Sequence, residues 1–494
     1  MKKSFIITCL AAALISTSCS DFLNVEPTDS TDAPTAIATS KDAQVVINGL
    51  MSKLTSSDYY GRTFPLYADA KGGDITIGSQ GRGYDALYVF NHSESSNAYS
   101  GFWSQGYHCI LQVNNLLGAI ETMQSQGSAE DFDDKIGQAL TLRALVYFDL
   151  VRLYGEPYNE DKTALGVPNI TEVLPNEAKE LRNTVEENYA QIISDLTAAE
   201  DLLSDDKSNG FVNYYGNLAL QSRVYLYMED YDKALTAAQK VMDSEKYTLY
   251  SNDEWAASWT KEFGTESILE FGIYPNEEDL GNTSLGAMYR KKGHGSTSIL
   301  GYFIASTDFL TKLSEDMTDV RWAVMEEDEF SETSEHPAER LGSSYKYSGS
   351  TSLAGDKNAS NSTAVNIKVI RLSEVYLNAA EAAFLKPAPD KKAAVTYLNA
   401  IRKRSPGLVP ATAATLTFDM IKSERGKELF TEGHRFFDKI RWNDNITFDD
   451  ALGSIPTIHR EKTIDRTFYK TILPISIDEI NANPEIEAQQ NPGY

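Results

Sequence analysis

Three cysteines in 494 residues are too few to staple this chain. Cys9 and Cys19 sit near its start and Cys109 stands alone, so a disulfide framework is excluded. Cys109 shares an apolar helical face with Val113, Leu116 and Ile120, the setting of a small buried hydrophobe. Six histidines (His92, His108, His294, His336, His434 and His459) are scattered without the spacing of metal ligands, so no metal or other cofactor is expected. There is no G-x-S-x-G elbow, no phosphate-binding glycine loop, no G-x-G-x-x-G and no H-E-x-x-H. A glycosidase needs only two carboxylates at the correct separation, and 71 acidic residues neither establish nor exclude such a pair. Basic residues number only 45, giving a formal charge of −26, which argues against nucleic acid or an anionic lipid surface as partner. After the first residues no apolar run is long enough to span a bilayer.

What is present begins with a processing signal. Lys2 and Lys3 precede an apolar core, Phe5–Ile15, and the small residues Ser16, Thr17 and Ser18 end in Cys19. This pattern resembles a bacterial lipoprotein cleavage site, with Cys19 the lipidated first residue of the mature chain; the alternative is ordinary secretory cleavage near Ser18, leaving a thiol. Loss of Lys2 and Lys3 with the leader takes the formal charge from −26 to −28. Ser20–Ser40, rich in Asp, Thr, Pro and Ser, reads as a tether.

From Lys41 the chain is mostly helical. Ser40 is the expected N-cap of a helix to about Thr55, and helical periodicity follows at Phe102–Met123, Phe132–Tyr154, Thr184–Leu203, Tyr214–Met228 and Asp232–Asp243. Phe132–Tyr154 is apolar nearly all round in its second half and should be central, with Arg143, Asp149 and Arg152 in buried ion pairs. Two stretches have the look of tetratricopeptide units: Ser222 and Ala234, then Ala382 and Ala394, put small residues at a matching interval where paired helices would touch. Ser56–Gly101 and Pro275–Ala364 break the helical rhythm, the first with short strands expected around Asp74–Ile77 and Ala86–Phe90. Long irregular segments interrupting a helical scaffold are where a ligand face is expected. In Glu424–Trp442 apolar residues at helical spacing alternate with a dense mix of both charge signs, which predicts one helix whose charges are paired internally.

That last stretch, ERGKELFTEGHRFFDKIRW, resembles the late signature of the SusD/RagB family, nutrient-binding outer-membrane lipoproteins of Bacteroidetes. Four further segments agree in the family's order: Arg143–Gly155, Arg371–Ala382, Leu398–Ser405 and Leu473–Tyr494, the last departing at Ser476, where the family often has a second proline. The resemblance covers essentially the whole mature chain. It implies a mostly α fold, a tetratricopeptide-like helical scaffold with long irregular loops and a few short β-strands. It divides the chain into a lipoprotein signal (1–18), a lipidated N-terminus and tether (19–40), an N-terminal SusD-like helical region (41–265) and a C-terminal RagB/SusD region (266–494). It implies a non-catalytic lipoprotein, anchored in the outer membrane and facing the exterior, that captures a glycan and passes it to a SusC-like TonB-dependent transporter. A peptide-binding member of the RagB kind is the alternative, and a surface glycoside hydrolase a third reading.

The residues themselves suit a glycan, and a peptide can use much the same surface. The 27 tyrosines and five tryptophans offer flat apolar faces with polar tips, matched to a sugar ring with C–H groups on one face and hydroxyls at its rim. Tyr84 and Tyr88 on the early irregular region, Tyr289 and Tyr302 on the later one, and Trp322 beyond are the candidate stacking residues, with Asp69, Asp74 and Arg82 as hydrogen-bonding partners. Trp103, Trp259 and Trp442 are expected to be core.

Overall fold

The computed structural model describes residues 37–78, 83–95, 100–175, 177–274, 283–289, 301–328, 330–331, 340–347, 365–452 and 455–494. Cys19, Arg82 and half of Pro275–Ala364 lie outside them. Helix α1, Ser40–Leu54, is capped one residue earlier than expected: Thr39 accepts from the Asp42 amide while Asp42 reaches back to the Thr39 backbone, a reciprocal box that Ser40 cannot form. After α2 (Thr63–Ala70), the long helices α3 (Ser100–Ser125) and α4 (Asp133–Tyr154) pack together, and α5 (Val185–Glu200) covers α4 from another side. From Thr141 to Tyr154 only Arg152 in α4 is not fully buried, as its all-round apolar pattern requires. Its charges are matched internally, Arg143 by Asp195 at 2.7 Å and Asp149 by Arg152 at 2.5 Å.

Helices α6 (Tyr214–Tyr227) and α7 (Tyr231–Asp243) form one hairpin, α8 (Leu372–Leu385) and α9 (Lys391–Arg402) another. Helix α7 packs on α8, so hairpins far apart in sequence stack as consecutive repeats. Ser222, Ala234, Ala382 and Ala394 are all fully buried where the helices touch; nothing larger would let the backbones approach so closely.

The signature stretch is two helices, not one. Helix α10, Phe418–Glu428, stops, and α11, Arg435–Arg441, starts after a turn in which Thr431 has φ +63° and Gly433 φ +80°. Gly433 runs against α2: a Cβ there would lie 2.9 Å from the Pro65 Cα. The mixed charges are internal, as expected. Arg371 meets Glu428 and Glu432, each at 2.7 Å; Arg321 meets Glu424 at 2.7 Å; Arg425 meets Asp438 at 2.6 Å; and Arg441 meets Glu381 at 2.5 Å. Removing one partner from such a pair strands a buried charge, so each arginine fixes the position of the segments it joins.

The sheets are two-stranded and antiparallel: β1 (Ile75–Ile77), β2 (Ser267–Phe271), β3 (Phe303–Ala305), β4 (Met325–Glu326), β5 (Ser343–Ser344), β6 (Ile367–Arg371), β7 (Ile446–Thr447) and β8 (Thr463–Ile464) pair as β1–β3, β2–β6, β4–β5 and β7–β8. The strand expected at Ala86–Phe90 is instead a short helix, Ala86–Val89, closed by the Val89 amide on the Asp85 carbonyl and ending at Phe90 with φ +60°. A short continuous apolar run does not distinguish the two by periodicity, and all five side chains are buried here as they would be in a core strand.

Candidate functional site

The pairing of β1 with β3, in register Ile75↔Ala305 and Ile77↔Phe303, brings the two irregular regions together. Tyr302 directly precedes β3, and Tyr84 lies just before the short helix that follows β1. Their rings meet with centroids 5.6 Å apart at a 52° tilt, and both are half-buried, each keeping part of its surface open. The Arg62 guanidinium lies 5.3 Å from the centre of the Tyr84 ring, steadied by donation to the Thr283 carbonyl at 3.3 Å and by Asp58 at 3.9 Å. This edge combines two amphipathic rings with a planar cation. Apolar C–H faces can rest on the rings while hydroxyls reach the guanidinium and the phenol tips.

Four other expected site residues are buried core groups with partners inside the protein. Tyr88 is fully buried and donates to Asp450 at 2.8 Å, with Arg460 over its ring. Tyr289, 1% exposed, donates to Asp69 at 3.0 Å, and Asp69 also accepts from the Gly433 amide at 2.9 Å. Asp74 is buried between Arg435 at 2.7 Å and Lys312 at 3.1 Å. A loop tyrosine reads alike in sequence whether it faces solvent or folds back onto a buried carboxylate, and here the carboxylates were close enough to draw two of them in. Trp322 is half-buried in the turn Val320–Val324 and donates to the Asp316 carbonyl at 3.2 Å, away from the pair. Of the eight residues, the structure therefore joins Tyr84 and Tyr302. Sequence reasoning missed Arg62, whose only signal was its place after the aromatic pair Tyr59-Tyr60.

Electrostatics near this edge are unusual at Asp69. Burial, reinforced by neighbouring Glu432, pushes its carboxyl up to about 7 despite the hydrogen bonds from Gly433 and Tyr289. Asp74 behaves oppositely: burial would raise it, but Arg435 and Lys312 hold it below the usual carboxylate range.

A separate groove of about 490 Å³ runs beside Trp103 and Tyr107. Trp103 itself is only 5% exposed, with its indole N–H donating to Glu479 at 3.0 Å, so it floors the groove as a core residue. Trp259 is likewise buried, and Trp442 half-buried. Among the described residues no group of three or more His, Cys, Asp or Glu side chains could hold a metal ion, and no helix is long and apolar enough to cross a membrane.

Known proteins share this architecture. Residues 333–494 match the model of the SusD family, and residues 21–226 match a second model described as starch-binding associating with outer membrane. A SusD superfamily protein of Bacteroides thetaiotaomicron is 34% identical, with 92% of this chain and 100% of that one covered at a TM-score of 0.81. A putative sugar binding protein of Bacteroides vulgatus is 33% identical, covering 93% and 100% at a TM-score of 0.80. A SusD-like protein of Formosa agariphila is 26% identical over 97% of this chain and 96% of its own.

Proposed function

Because the chain belongs to the SusD family, we propose that it captures a glycan at the cell surface and passes it to a SusC-like TonB-dependent transporter. The observation that carries this reading is the Tyr84–Tyr302 pair with Arg62 beside it, at the junction of the two irregular regions. Two rings at a tilt grip a curved oligosaccharide better than a flat one, since successive sugar units must turn to lie on both. Lipid on Cys19 holds the protein to the outer membrane in this reading, and the segment Ser20–Ser40 gives it reach. Nothing in the capture step requires bond breaking.

Titration calorimetry against a panel of oligosaccharides and peptides tests it. Tyr84→Ala and Tyr302→Ala should each weaken glycan binding by about tenfold, the scale of one lost stacking contact, while leaving the thermal midpoint nearly unchanged. Binding confined to peptides, or shorter sugars released on incubation, would replace this reading with a peptide receptor or a hydrolase respectively. Membrane fractionation of Cys19→Ala checks the anchor: the variant should be exported but leave the membrane pellet.

A further inference from the structure

A cavity of about 360 Å³ opens where the two helical hairpins meet the signature helices, and it shares no residue with the Tyr84–Tyr302 edge. Tyr227, Tyr231, Phe418 and Trp442 supply its rings, Tyr227 already packed against Phe148 with the Arg441 guanidinium 5.1 Å away, and Glu229, Asn159 and Arg466 its polar wall. The rings are not equivalent. Phe418 is stacked by Phe384 at 6.0 Å and has Lys422 above it at 4.7 Å; Trp442 has Arg441 at 4.7 Å. Among the described residues neither a ring nor a cation covers Tyr231, which is half-buried at the start of α7.

The charges sort as clearly. Glu381 is neutralised by Arg441, accepting from both its terminal nitrogens, and also accepts from the Trp442 indole at 2.8 Å. Arg466 is neutralised by Glu160 and donates to the Asn159 side-chain oxygen at 3.3 Å. Asn159 spends its amide hydrogens on the Arg441 carbonyl and on one oxygen of Glu229, each at 2.8 Å. Glu229 is exposed in the α6–α7 turn, held at φ +59°, and among the described residues it has no ion-pair partner. Glu229 and Tyr231 line the cavity together, two residues apart in the chain, and the Asn159 amide holds the carboxylate there. An ionised carboxylate offers about four lone-pair sites, so the bond from Asn159 leaves it able to accept from further donors.

We propose that this cavity is a second saccharide subsite, taking a neutral sugar ring whose C–H face rests on Tyr231 and whose hydroxyls donate to Glu229. A carboxylate acceptor forms strong bonds to hydroxyl donors, and the same unpaired charge repels a uronate or sulfated sugar. The subsite rests on the reading of the protein as a glycan binder, and it adds a specificity: neutral over anionic.

The test uses the full chain with neutral malto-, cello-, xylo- and mannohexaose and with hexagalacturonate, by calorimetry. Wild type should bind a neutral hexasaccharide at two sites. The double variant Y84A/Y302A should keep one, and adding Tyr231→Ala should remove it. Glu229→Gln should weaken the neutral sugar about tenfold at that site, the loss expected for a charged acceptor made neutral, and narrow its preference over hexagalacturonate. If Y84A/Y302A abolishes all binding, or Tyr231→Ala and Glu229→Gln bind as wild type, the subsite is overturned while glycan capture stands. If Y84A/Y302A binds as wild type and Tyr231→Ala does not, the subsite stands and the Tyr84–Tyr302 placement falls. If no sugar of the panel binds wild type, glycan capture fails and the subsite with it.

Discussion

Asp69 carries the tension between burial and charge in its simplest form. Both side-chain hydrogen bonds arrive at one carboxylate oxygen, from Tyr289 and from Gly433, while burial and the like charge of Glu432 act against ionisation. Because the folded carboxyl titrates near 7, well above the ordinary aspartate value of 3.8, the native state holds a proton that the unfolded chain has already released. Stability contributed by this group is therefore complete below about pH 4 and is lost as pH rises through 7. Asp69→Asn keeps an oxygen for both donors and removes the titration. The variant should match or fall slightly below wild type at pH 5 and exceed it at pH 8.5. The gain should be roughly 1–3 kcal/mol, since each pH unit between folded and unfolded titration is worth about 1.4 kcal/mol and relaxation recovers part of it. Thermal melts across that range decide it; curves that run parallel would show Asp69 ionised throughout.

At the scale of elements, two glycines separate backbone demand from composition. Gly433 sits at φ +80° with no room for a Cβ against Pro65, and it breaks what would otherwise be one signature helix. Gly433→Ala should cost about 1–3 kcal/mol, from left-handed strain plus the collision. Gly49, on the exposed side of α1 with open space within 4 Å of where a Cβ would stand, is the control, and Gly49→Ala should stabilise by about 0.5–1 kcal/mol. Denaturant titration of both variants checks the pair, and equal effects would mean the turn relaxes freely. Local and distant causes also divide what the sequence could disclose. Long helices such as α3, α4 and α6 were legible to within a few residues because their apolar spacing is sustained over many turns. The stacked hairpins were legible because Ser222, Ala234, Ala382 and Ala394 must be small. The break at Gly433 was not, since its cause is Pro65, hundreds of residues away. For the same reason Tyr88 and Tyr289 could not be told from Tyr84 and Tyr302: what drew them inward, Asp450 and Asp69, acts through space and leaves no local mark.

Across the whole molecule, buried ion pairs and the large negative charge pull the pH response in opposite directions. Arg371, Arg404 and Arg321 hold Glu428 well below the carboxylate range against the burial that would raise it, and Arg223 and Arg425 do the same for Glu374. Lowered carboxyls contribute stability above the unfolded range near pH 4, and that stability is lost as pH falls further. A formal charge of −26 and an isoelectric point near 4.7 mean that self-repulsion eases on the way down to that point. Stability should therefore peak near pH 5 and collapse below about pH 4, which a series of thermal melts at fixed ionic strength will show; undiminished stability down to pH 3 would mean the paired carboxylates govern nothing, and a peak above pH 8 would mean self-repulsion does not. The same excess of acid bears on the proposed hand-off. A surface this negative associates with a partner only where that partner presents basic groups or where the acids point away, and steering of that kind weakens with salt. Stacked hairpins offer an extended face for such a contact. Gentle detergent extraction and pull-down on this protein should then recover a barrel transporter in near-equal amount at low ionic strength and less of it at high salt. Recovery of the binder alone, repeated after crosslinking in intact cells, would make it a free-standing receptor and rule out the hand-off.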